Sequence, residues 1–203
     1  MAHVLYYTAG TCSLAPNIAL RDAELAFEMS RVDLRARKLA TSGEDYLAVN
    51  PKGYVPALRL PDGNVLTEAA VMLQYIAEQR PEAGLGVTSG MERYRYLEWL
   101  NFIATELHKG TSPLYNVLAG EDYKTQLKTR LAKRWGVLAD GLRDGYLMGH
   151  YTVADAYAFY VMRAWQHAHK QTLDAWPALV DYYGRLATRP SVHAALESEG
   201  LKA

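Results

Sequence analysis

The chain has 203 residues, of which 50% are hydrophobic and 22% are charged. These proportions are ordinary for a folded globular protein and argue against intrinsic disorder. Lysine plus arginine and aspartate plus glutamate each total 22, so the formal net charge is zero. No overall field attracts nucleic acid or an anionic membrane, and the sequence predicts neither as a partner.

The stretch from Val4 to Leu20 carries no charged side chain, which makes it a candidate targeting segment or membrane span. It lacks a basic leader, and Gly10, Pro16 and Asn17 interrupt it, so we expect a strand, a loop and a helix start instead. The only cysteine, Cys12, cannot form an internal disulfide. A chain without disulfides fits a reducing compartment, and the sequence predicts a cytoplasmic protein.

In chain order, the first 80 residues predict a small α/β domain. Apolar alternation and turn residues predict strands, and 3.6-residue spacing predicts helices. The predicted elements are a strand over 3–7, a helix over 15–24, a strand over 27–34, strands over 55–60 and 65–67, and a helix over 68–79. The second strand is parallel to the first if the helix is a crossover. Pro61-Asp62-Gly63-Asn64 predicts the turn of an antiparallel hairpin.

Residues 81–90 contain one proline and three glycines and predict an interdomain linker. Strand signals then disappear, and residues 91–203 predict an all-helical domain. The predicted helices cover 91–109, 123–143, 152–169, 176–188 and 191–198. Thr152 to Asp155 has the pattern of a capping box, for which we expect a structural role and no catalytic one.

Cys12 lies between the first strand and the first helix, where open α/β sheets place ligands. Helix-start amides stabilise a thiolate, and Ser13 could donate a hydrogen bond to a sulfur anion. An isolated cysteine is more often inert core, but this position favours a reactive thiol. The chain has no C-x-x-C pair, so any disulfide must form with an external thiol.

Two further loops accompany the cysteine. Asn50 to Leu58 predicts a specified turn, and a cis bond before Pro56 would present the Val55 amide and carbonyl to an extended peptide; a rigid start to a strand explains the segment equally well. At Glu68 a strand gives way to a helix, where amides suit a carboxylate and the Glu68 side chain suits an ammonium. Together the three loops match the thiol, short backbone and γ-glutamyl head of glutathione.

With these features the sequence resembles the glutathione S-transferase superfamily, most closely its bacterial beta class. Segments in both halves carry the resemblance: Leu5-Tyr6-Tyr7, Gly10 to Pro16, Val32-Asp33-Leu34, Asn50 to Leu58, Leu66-Thr67-Glu68, Glu98 to Gly110, and Thr152 to Ala156. The resemblance implies an α/β thioredoxin-like N-terminal domain plus an all-α helical C-terminal domain, in a cytosolic homodimer. It also implies glutathione as co-substrate and no metal.

The resemblance assigns site residues position by position. Cys12 matches the cysteine that lies against the glutathione sulfur, and Val55 matches the backbone partner of the cysteinyl unit, before Pro56. Glu68 and Ala69 match the positions that hold the γ-glutamyl head. The matching residues of the second domain, which close the site or reach it across the dimer, are Asn101, Thr105, Glu106, His108 and Lys109.

The sequence departs from the family pattern at two positions. Where relatives often have a lysine that reaches the glycyl end of glutathione, this chain has Arg37 with Lys38 beside it, and either cation could serve. Position 69 is alanine where a serine would supply a hydroxyl, so only its backbone amide can bind. Other classes of the superfamily activate the sulfur with a hydroxyl, which makes Tyr6 or Tyr7 a candidate, although both also fit a core position.

His108 is a candidate for sulfur activation alongside Cys12 and Ser13. On a continuous helix it follows Asn101 by seven residues and Ala104 by four, so the three would share a face. A neutral imidazole there could accept the thiol proton, and a protonated one would favour a thiolate. A histidine packed between helices is the alternative.

These features predict a glutathione transferase that conjugates the glutathione thiol to small hydrophobic electrophiles, a detoxification reaction. One alternative is thiol–disulfide exchange or reductive dehalogenation through a Cys12 mixed disulfide, and another is a non-catalytic binding protein. Tyr115, Tyr157 and Trp165 could line the acceptor side, but their helical spacing makes core positions the stronger expectation.

Overall fold

The structure is a computed structural model that describes residues 2–202. The chain folds into two compact units. Unit 1 is the chain up to Gly86 together with the segment from Thr188 onward, and unit 2 is Val87–Ala187.

The helices and strands follow the predicted order, with bounds that mostly shift by one to three residues. They are β1 (His3–Tyr7), α1 (Leu14–Asp22), β2 (Phe27–Asp33), β3 (Lys38–Leu39), β4 (Ala57–Arg59), β5 (Val65–Thr67), α2 (Ala69–Gln79), α3 (Gly90–Phe102), a π-helix (Ile103–His108), α4 (Lys109–Thr111), α5 (Glu121–Asp140), α6 (Val153–His167), α7 (Pro177–Ala187) and α8 (Pro190–Ser198). Short 3₁₀ turns cover Tyr46–Ala48, Pro81–Ala83 and Ser112–Tyr115.

Within the described residues, unit 1 contains a five-stranded sheet in the order β3-β2-β1-β4-β5. β1 and β2 run parallel, as predicted for strands joined by a helical crossover, and β4 and β5 form the predicted antiparallel hairpin. The sequence did not predict β3, because two residues are too short for an alternating pattern. One side of the sheet is packed by a cluster of Tyr6, Val32, Tyr46, Val55 and Ala57.

The last helix, α8, packs against α1 inside unit 1. The fully buried Asn17 side chain of α1 donates hydrogen bonds to the Ala195 carbonyl (3.4 Å) and to Glu199 Oε1 (3.1 Å). Arg189 and Asp22 add an ion pair at 2.9 Å. The predicted helical domain included this segment, but the segment groups with the sheet because its apolar face and buried polar groups meet α1.

The regular structure of unit 2 is helical apart from one isolated bridge, and α6 packs against α3, the π-helix and α7. Every residue of α6 from Val153 to Trp165 is buried. The predicted capping box at Thr152 and Asp155 is present at its first turn. An α/β thioredoxin-like first domain and an all-α second domain were predicted, and this architecture is confirmed.

The helix predicted over 91–109 is interrupted, since Ile103–His108 is π-helical. A π-turn closes its hydrogen bonds at i→i+5 and accommodates one extra residue, so the residues beyond it are rotated by about 100° around the helix axis. The prediction that Asn101 and His108 share a face is therefore wrong. Asn101 is exposed, whereas His108 is half-buried.

Candidate active site

Cys12 lies in the turn between β1 and α1 and is 9% exposed. Its Sγ donates a hydrogen bond to the carbonyl oxygen of Val55 at 3.3 Å. The predicted sulfur-handling residue and the predicted backbone partner of a peptide therefore meet at one point of unit 1.

Ser13 is fully buried, and its hydroxyl is engaged inside the same turn. Ser13 Oγ donates to the Thr8 carbonyl (3.2 Å), accepts from the Thr8 amide (3.3 Å) and lies 3.0 Å from Thr11 Oγ1. These contacts stabilise the turn that carries Cys12, and they direct the Ser13 hydroxyl to Thr8 and Thr11 of that turn.

The C-terminal segment also supports the cysteine turn. Glu199, which is 8% exposed, accepts a hydrogen bond from the Gly10 amide through Oε2 (2.9 Å). Gly10 has a φ of +73°, a conformation that glycine adopts without strain. Sequence reasoning missed this contact, because no local pattern links residues 189 positions apart.

In the turn before β4 the bond between Val55 and Pro56 is cis, as the family resemblance implies. Fully buried Asn50 donates to the Tyr54 carbonyl at 2.6 Å, and the Tyr46 hydroxyl donates to the same oxygen at 3.1 Å. Burial raises the pKa of Tyr46 to about 12, which further disfavours loss of the proton that its hydroxyl donates. Two donors therefore fix the peptide that leads into Val55.

At the start of α2, Glu68 has φ +70° and ψ +114°, a conformation that residues with a Cβ rarely adopt. Its Oε1 accepts from Lys52 Nζ at 2.6 Å and from the Tyr54 hydroxyl at 3.2 Å. Lys52 Nζ also donates to Thr67 Oγ1 at 2.9 Å. The hydrogen bond to Glu68 raises the pKa of Lys52. Lys52 and Tyr54 are site candidates that sequence reasoning missed, although both lie in a segment it singled out.

Ala69 follows Glu68 at the first position of α2 and is buried. The first amides of a helix have no acceptor within that helix, so this start offers N–H donors as predicted.

Arg37 has a φ of +55°. Its side chain lies against the Gly53 backbone, so that a Cβ atom built onto Gly53 would be 3.7 Å from Arg37 Nε. Its guanidinium therefore lies beside the turn that leads into Val55. Lys38 is exposed and belongs to β3, where it pairs with Asp33.

The two tyrosines of β1 differ in burial. Tyr6 packs its ring 5.8 Å from that of Tyr46, under the Arg59 guanidinium at 5.3 Å. Burial raises the pKa of Tyr6, which disfavours its phenolate form. A core position for Tyr6 is confirmed, while Tyr7 is half-buried.

The remaining predicted site residues lie in unit 2, and their contacts differ from one residue to the next. His108 Nδ1 lies 2.8 Å from the Tyr157 hydroxyl, and its ring meets that of Tyr160 edge-on at 5.2 Å. Glu106 Oε2 accepts from Arg134 Nε at 2.9 Å. Thr105 Oγ1 donates back to the Asn101 carbonyl (3.0 Å), while Lys109 is exposed.

Two of the three aromatic residues weighed for the acceptor side are core, as expected. Tyr157 is 2% exposed and Trp165 is 4% exposed. The expectation of a core position is wrong for Tyr115, which is 57% exposed and packs its ring against that of His169 at a tilt, with 4.4 Å between ring centroids.

Between residues 2 and 202 no group of three or more histidine, cysteine, aspartate or glutamate side chains could hold a metal ion. In the same part of the chain, no helix has the length and apolar character needed to cross a membrane.

A mixed sheet with a thiol after its first strand, followed by a helical unit, defines a thioredoxin-like domain joined to an all-helical one. Family models agree with this class. The N-terminal domain of glutathione S-transferases matches residues 10–79, and the C-terminal domain matches residues 108–199. The chain belongs to the glutathione S-transferase family, and the predicted resemblance is confirmed.

Individual proteins match over nearly the whole chain. Glutathione S-transferase GstA of Escherichia coli O157:H7 is 42% identical, covering 98% of this chain and 99% of that protein. A beta class glutathione S-transferase structure from Sphingomonas chungbukensis has a TM-score of 0.90 at 43% identity, covering 98% of this chain and 100% of the other. A sphingomonad glutathione S-transferase complexed with glutathione has a TM-score of 0.91 at 40% identity, with the same coverage.

Proposed function

We propose that the protein conjugates the thiol of glutathione to small hydrophobic electrophiles, as a cytoplasmic homodimer with a role in detoxification. Membership of the family makes it a glutathione transferase with glutathione as co-substrate. In the reaction the glutathione sulfur forms a bond to an electrophilic carbon, the leaving group departs with its electron pair, and the thiol proton passes to a base.

The contact between Cys12 Sγ and the Val55 carbonyl oxygen, at 3.3 Å, carries the proposal. A carbonyl oxygen has two lone pairs, so it can accept from Cys12 and from a ligand amide together. A cysteinyl unit that pairs with Val55 as an added strand would bring its own sulfur close to Cys12. The same contact thus supports peptide binding and thiol chemistry at one place.

The charged ends of glutathione have partners in unit 1. Glu68 suits the γ-glutamyl ammonium, and the amide of Ala69 suits the neighbouring carboxylate. For the glycyl carboxylate we propose Arg37 rather than Lys38, because Arg37 lies beside the turn of Gly53, whereas Lys38 pairs with Asp33 in β3.

His108 is the proposed base of unit 2, since contacts with Tyr157 and Tyr160 hold its ring in place. Ser13 is proposed as a positioning residue for Cys12. For Asn101, Thr105, Glu106 and Lys109 the family resemblance supports a part in glutathione binding. Glu106 would contribute to glutathione binding while its carboxylate remains paired with Arg134.

A Cys12→Ala variant tests the proposal and separates it from disulfide chemistry. Conjugation is followed with chlorodinitrobenzene and glutathione, and mixed-disulfide formation is followed by the mass of protein incubated with glutathione disulfide. We expect the wild type to do both and the variant to keep conjugation while losing the mixed disulfide. Cys12→Ser, of nearly the same volume, controls for packing around the buried thiol.

Absence of conjugation and of glutathione binding by the wild type would contradict the proposed function. Loss of conjugation in both variants, with glutathione still bound, would instead make Cys12 indispensable to the transfer and favour a mechanism that passes through its sulfur.

A further inference from the structure

Lys52 and Glu68 place opposite charges side by side at the first turn of α2. Lys52 comes from the loop before Val55, and its Nζ donates to Glu68 Oε1 at 2.6 Å and to Thr67 Oγ1 at 2.9 Å. Both charged side chains are near the surface, with 43% and 50% of their area exposed. The pair can therefore be reached by a ligand from solvent.

Stability alone does not account for this pair. Exposed ion pairs contribute little to folding, because solvent screens them and ordering two side chains costs entropy. Glu68 also holds a left-handed φ of +70°, which disfavours any residue with a Cβ. Such backbone conformations concentrate at ligand sites, where binding rather than folding makes use of them. The start of α2 thus has the local features of a binding position.

The chemistry of the pair matches the head of an α-amino acid. That head carries an ammonium and a carboxylate on a single carbon, so its receptor needs an anion and a cation that are neighbours. Glu68 supplies the anion. At position 69 the alanine has no hydroxyl, so the donors at this position are the first-turn amides of α2 and the Lys52 ammonium beside Glu68.

We infer that Lys52 binds the α-carboxylate of the γ-glutamyl unit, and that its ion pair with Glu68 opens so that each side chain takes the opposite charge of the ligand. The inference rests on the proposed function, because glutathione provides that unit. The net charge at this position is zero before and after binding, since a zwitterion joins a neutral pair. Exchange therefore replaces one ion pair by two and leaves no charge without a counter-charge.

Three thiol ligands separate the two halves of the receptor. They are glutathione, an analogue whose first unit is γ-aminobutyrate and lacks the α-carboxylate, and an analogue whose first unit is glutarate and lacks the α-amino group. Dissociation constants are measured by titration calorimetry for the wild type, Lys52→Met and Glu68→Gln. Methionine keeps most of the length of lysine and removes its charge.

We expect Lys52→Met to weaken glutathione binding about tenfold, which corresponds to one charge-assisted contact, and to change binding of the γ-aminobutyrate analogue less than about twofold. Glu68→Gln should weaken binding of glutathione and of the γ-aminobutyrate analogue, because both carry the amino group. It should leave binding of the glutarate analogue, which lacks that group, unchanged. In steady-state assays Lys52→Met should raise the KM for glutathione and leave kcat at saturating glutathione unchanged.

Two variants control for indirect effects. Lys52→Arg keeps the positive charge and should restore most of the affinity for glutathione. Lys124→Met breaks another lysine–glutamate pair, in which Lys124 Nζ lies 3.1 Å from Glu121 at the start of α5 in unit 2, and should leave all three dissociation constants unchanged.

An equal loss of affinity for glutathione and for the γ-aminobutyrate analogue in Lys52→Met would overturn the inference while the proposed function stands. Unchanged glutathione binding in that variant would overturn it as well. If the wild type bound no glutathione, the proposed function would fail, and the inference with it. The wild-type titration alone distinguishes failure of the function from failure of the inference.

Discussion

Two helix starts of this molecule, those of α6 in unit 2 and α2 in unit 1, use an acidic residue in opposite ways. Asp155 in the first turn of α6 is completely buried. It accepts hydrogen bonds from the Thr152 amide (2.7 Å), the Leu147 amide (3.0 Å) and the Tyr182 hydroxyl (2.6 Å). The start of α6 is closed by its own side chains.

Glu68 precedes α2, and its side chain makes no capping hydrogen bond to the helix. Its side chain turns to Lys52 and Tyr54, and its backbone holds a left-handed φ. The Glu68 carbonyl accepts from the Val71 amide at 3.0 Å, but no side-chain cap from Glu68 covers the first amides of α2. A closed helix start stabilises the fold, whereas an open one keeps donors and charges available to a ligand. The difference lies in whether the acidic side chain points back to its own helix.

The largest expected effect is on the closed start. Asp155→Ala leaves the buried Tyr182 hydroxyl and two amides without their acceptor, and should lower the free energy of unfolding by about 3 kcal/mol. Urea unfolding followed by circular dichroism measures it. Asp181→Ala, at an exposed position of α7, is the control and should stay within about 0.5 kcal/mol of the wild type. A stable Asp155→Ala protein would mean that the cap is not what holds α6.

At the open start, Glu68→Gln should weaken glutathione binding by about 10- to 100-fold, the range of a lost charge-assisted hydrogen bond. The free energy of unfolding should change by less than about 0.5 kcal/mol, because the pair with Lys52 is exposed. Calorimetry and urea unfolding on the same samples test both statements. A large loss of stability with unchanged affinity would reverse the contrast between the two starts.

Backbone strain at the open start is tested by comparing Glu68→Gly with Glu68→Gln, since both remove the carboxylate. Glycine tolerates φ +70°, so relief of strain should exceed its extra unfolded-state entropy and stabilise the glycine variant by about 1 kcal/mol over the glutamine variant. The two variants are compared by their midpoints of urea unfolding, with one common slope for the free energy of unfolding against urea concentration. A less stable glycine variant would show that the strain at Glu68 is smaller than the extra unfolded-state entropy of glycine.

Adding a hydroxyl should improve the open start. Ala69→Ser places a donor at the first position of α2 and should tighten glutathione binding by about threefold to tenfold, as expected for one hydrogen bond. Ala70→Ser, one residue further along the helix, is the matched control and should bind as the wild type does. Equal gains from both variants would mean that general polarity, and not the first position, sets the affinity.

The smallest effect is a pH dependence at the closed start. Burial raises the pKa of Asp155, although its hydrogen bonds act against the shift. The folded state then holds the proton more tightly than the unfolded chain. The stability from this carboxyl is complete below the ordinary pKa of about 4 and declines as the pH rises through the raised value. The advantage of the wild type over Asp155→Asn in urea should therefore shrink as the pH rises above about 4, and a growing advantage would contradict the direction of the shift.

Features with a local signature were predictable. The capping box at Thr152 and Asp155 is confirmed because its partners are three residues apart and follow a known pattern. The hairpin of β4 and β5 is confirmed because Asp62-Gly63 marks its turn.

The π-helix was not predictable in the same way, since Ile103–His108 has ordinary helical composition. The extra residue in that turn separates Asn101 from His108, which periodicity had placed on one face.

Parts of the site that depend on distant residues were visible only in the fold. Lys52 and Glu68 lie in segments that the sequence had marked separately, and no spacing rule joins residues sixteen positions apart. The support of Gly10 by Glu199 joins the two ends of unit 1. Local patterns cannot report such pairs, because hairpin and helix packing bring them together.

By itself, the sequence determined the family, the α/β and all-helical architecture, and Cys12, Val55 and Glu68 as the candidates around a glutathione-like ligand. Each of these depends on residues that are neighbours along the chain. The tertiary structure decided which partners those residues meet: the Val55 carbonyl for Cys12, Lys52 for Glu68, and Tyr157 for His108. It also placed α8 with the sheet, because burial of Asn17 and Glu199 against α1 depends on packing between distant segments.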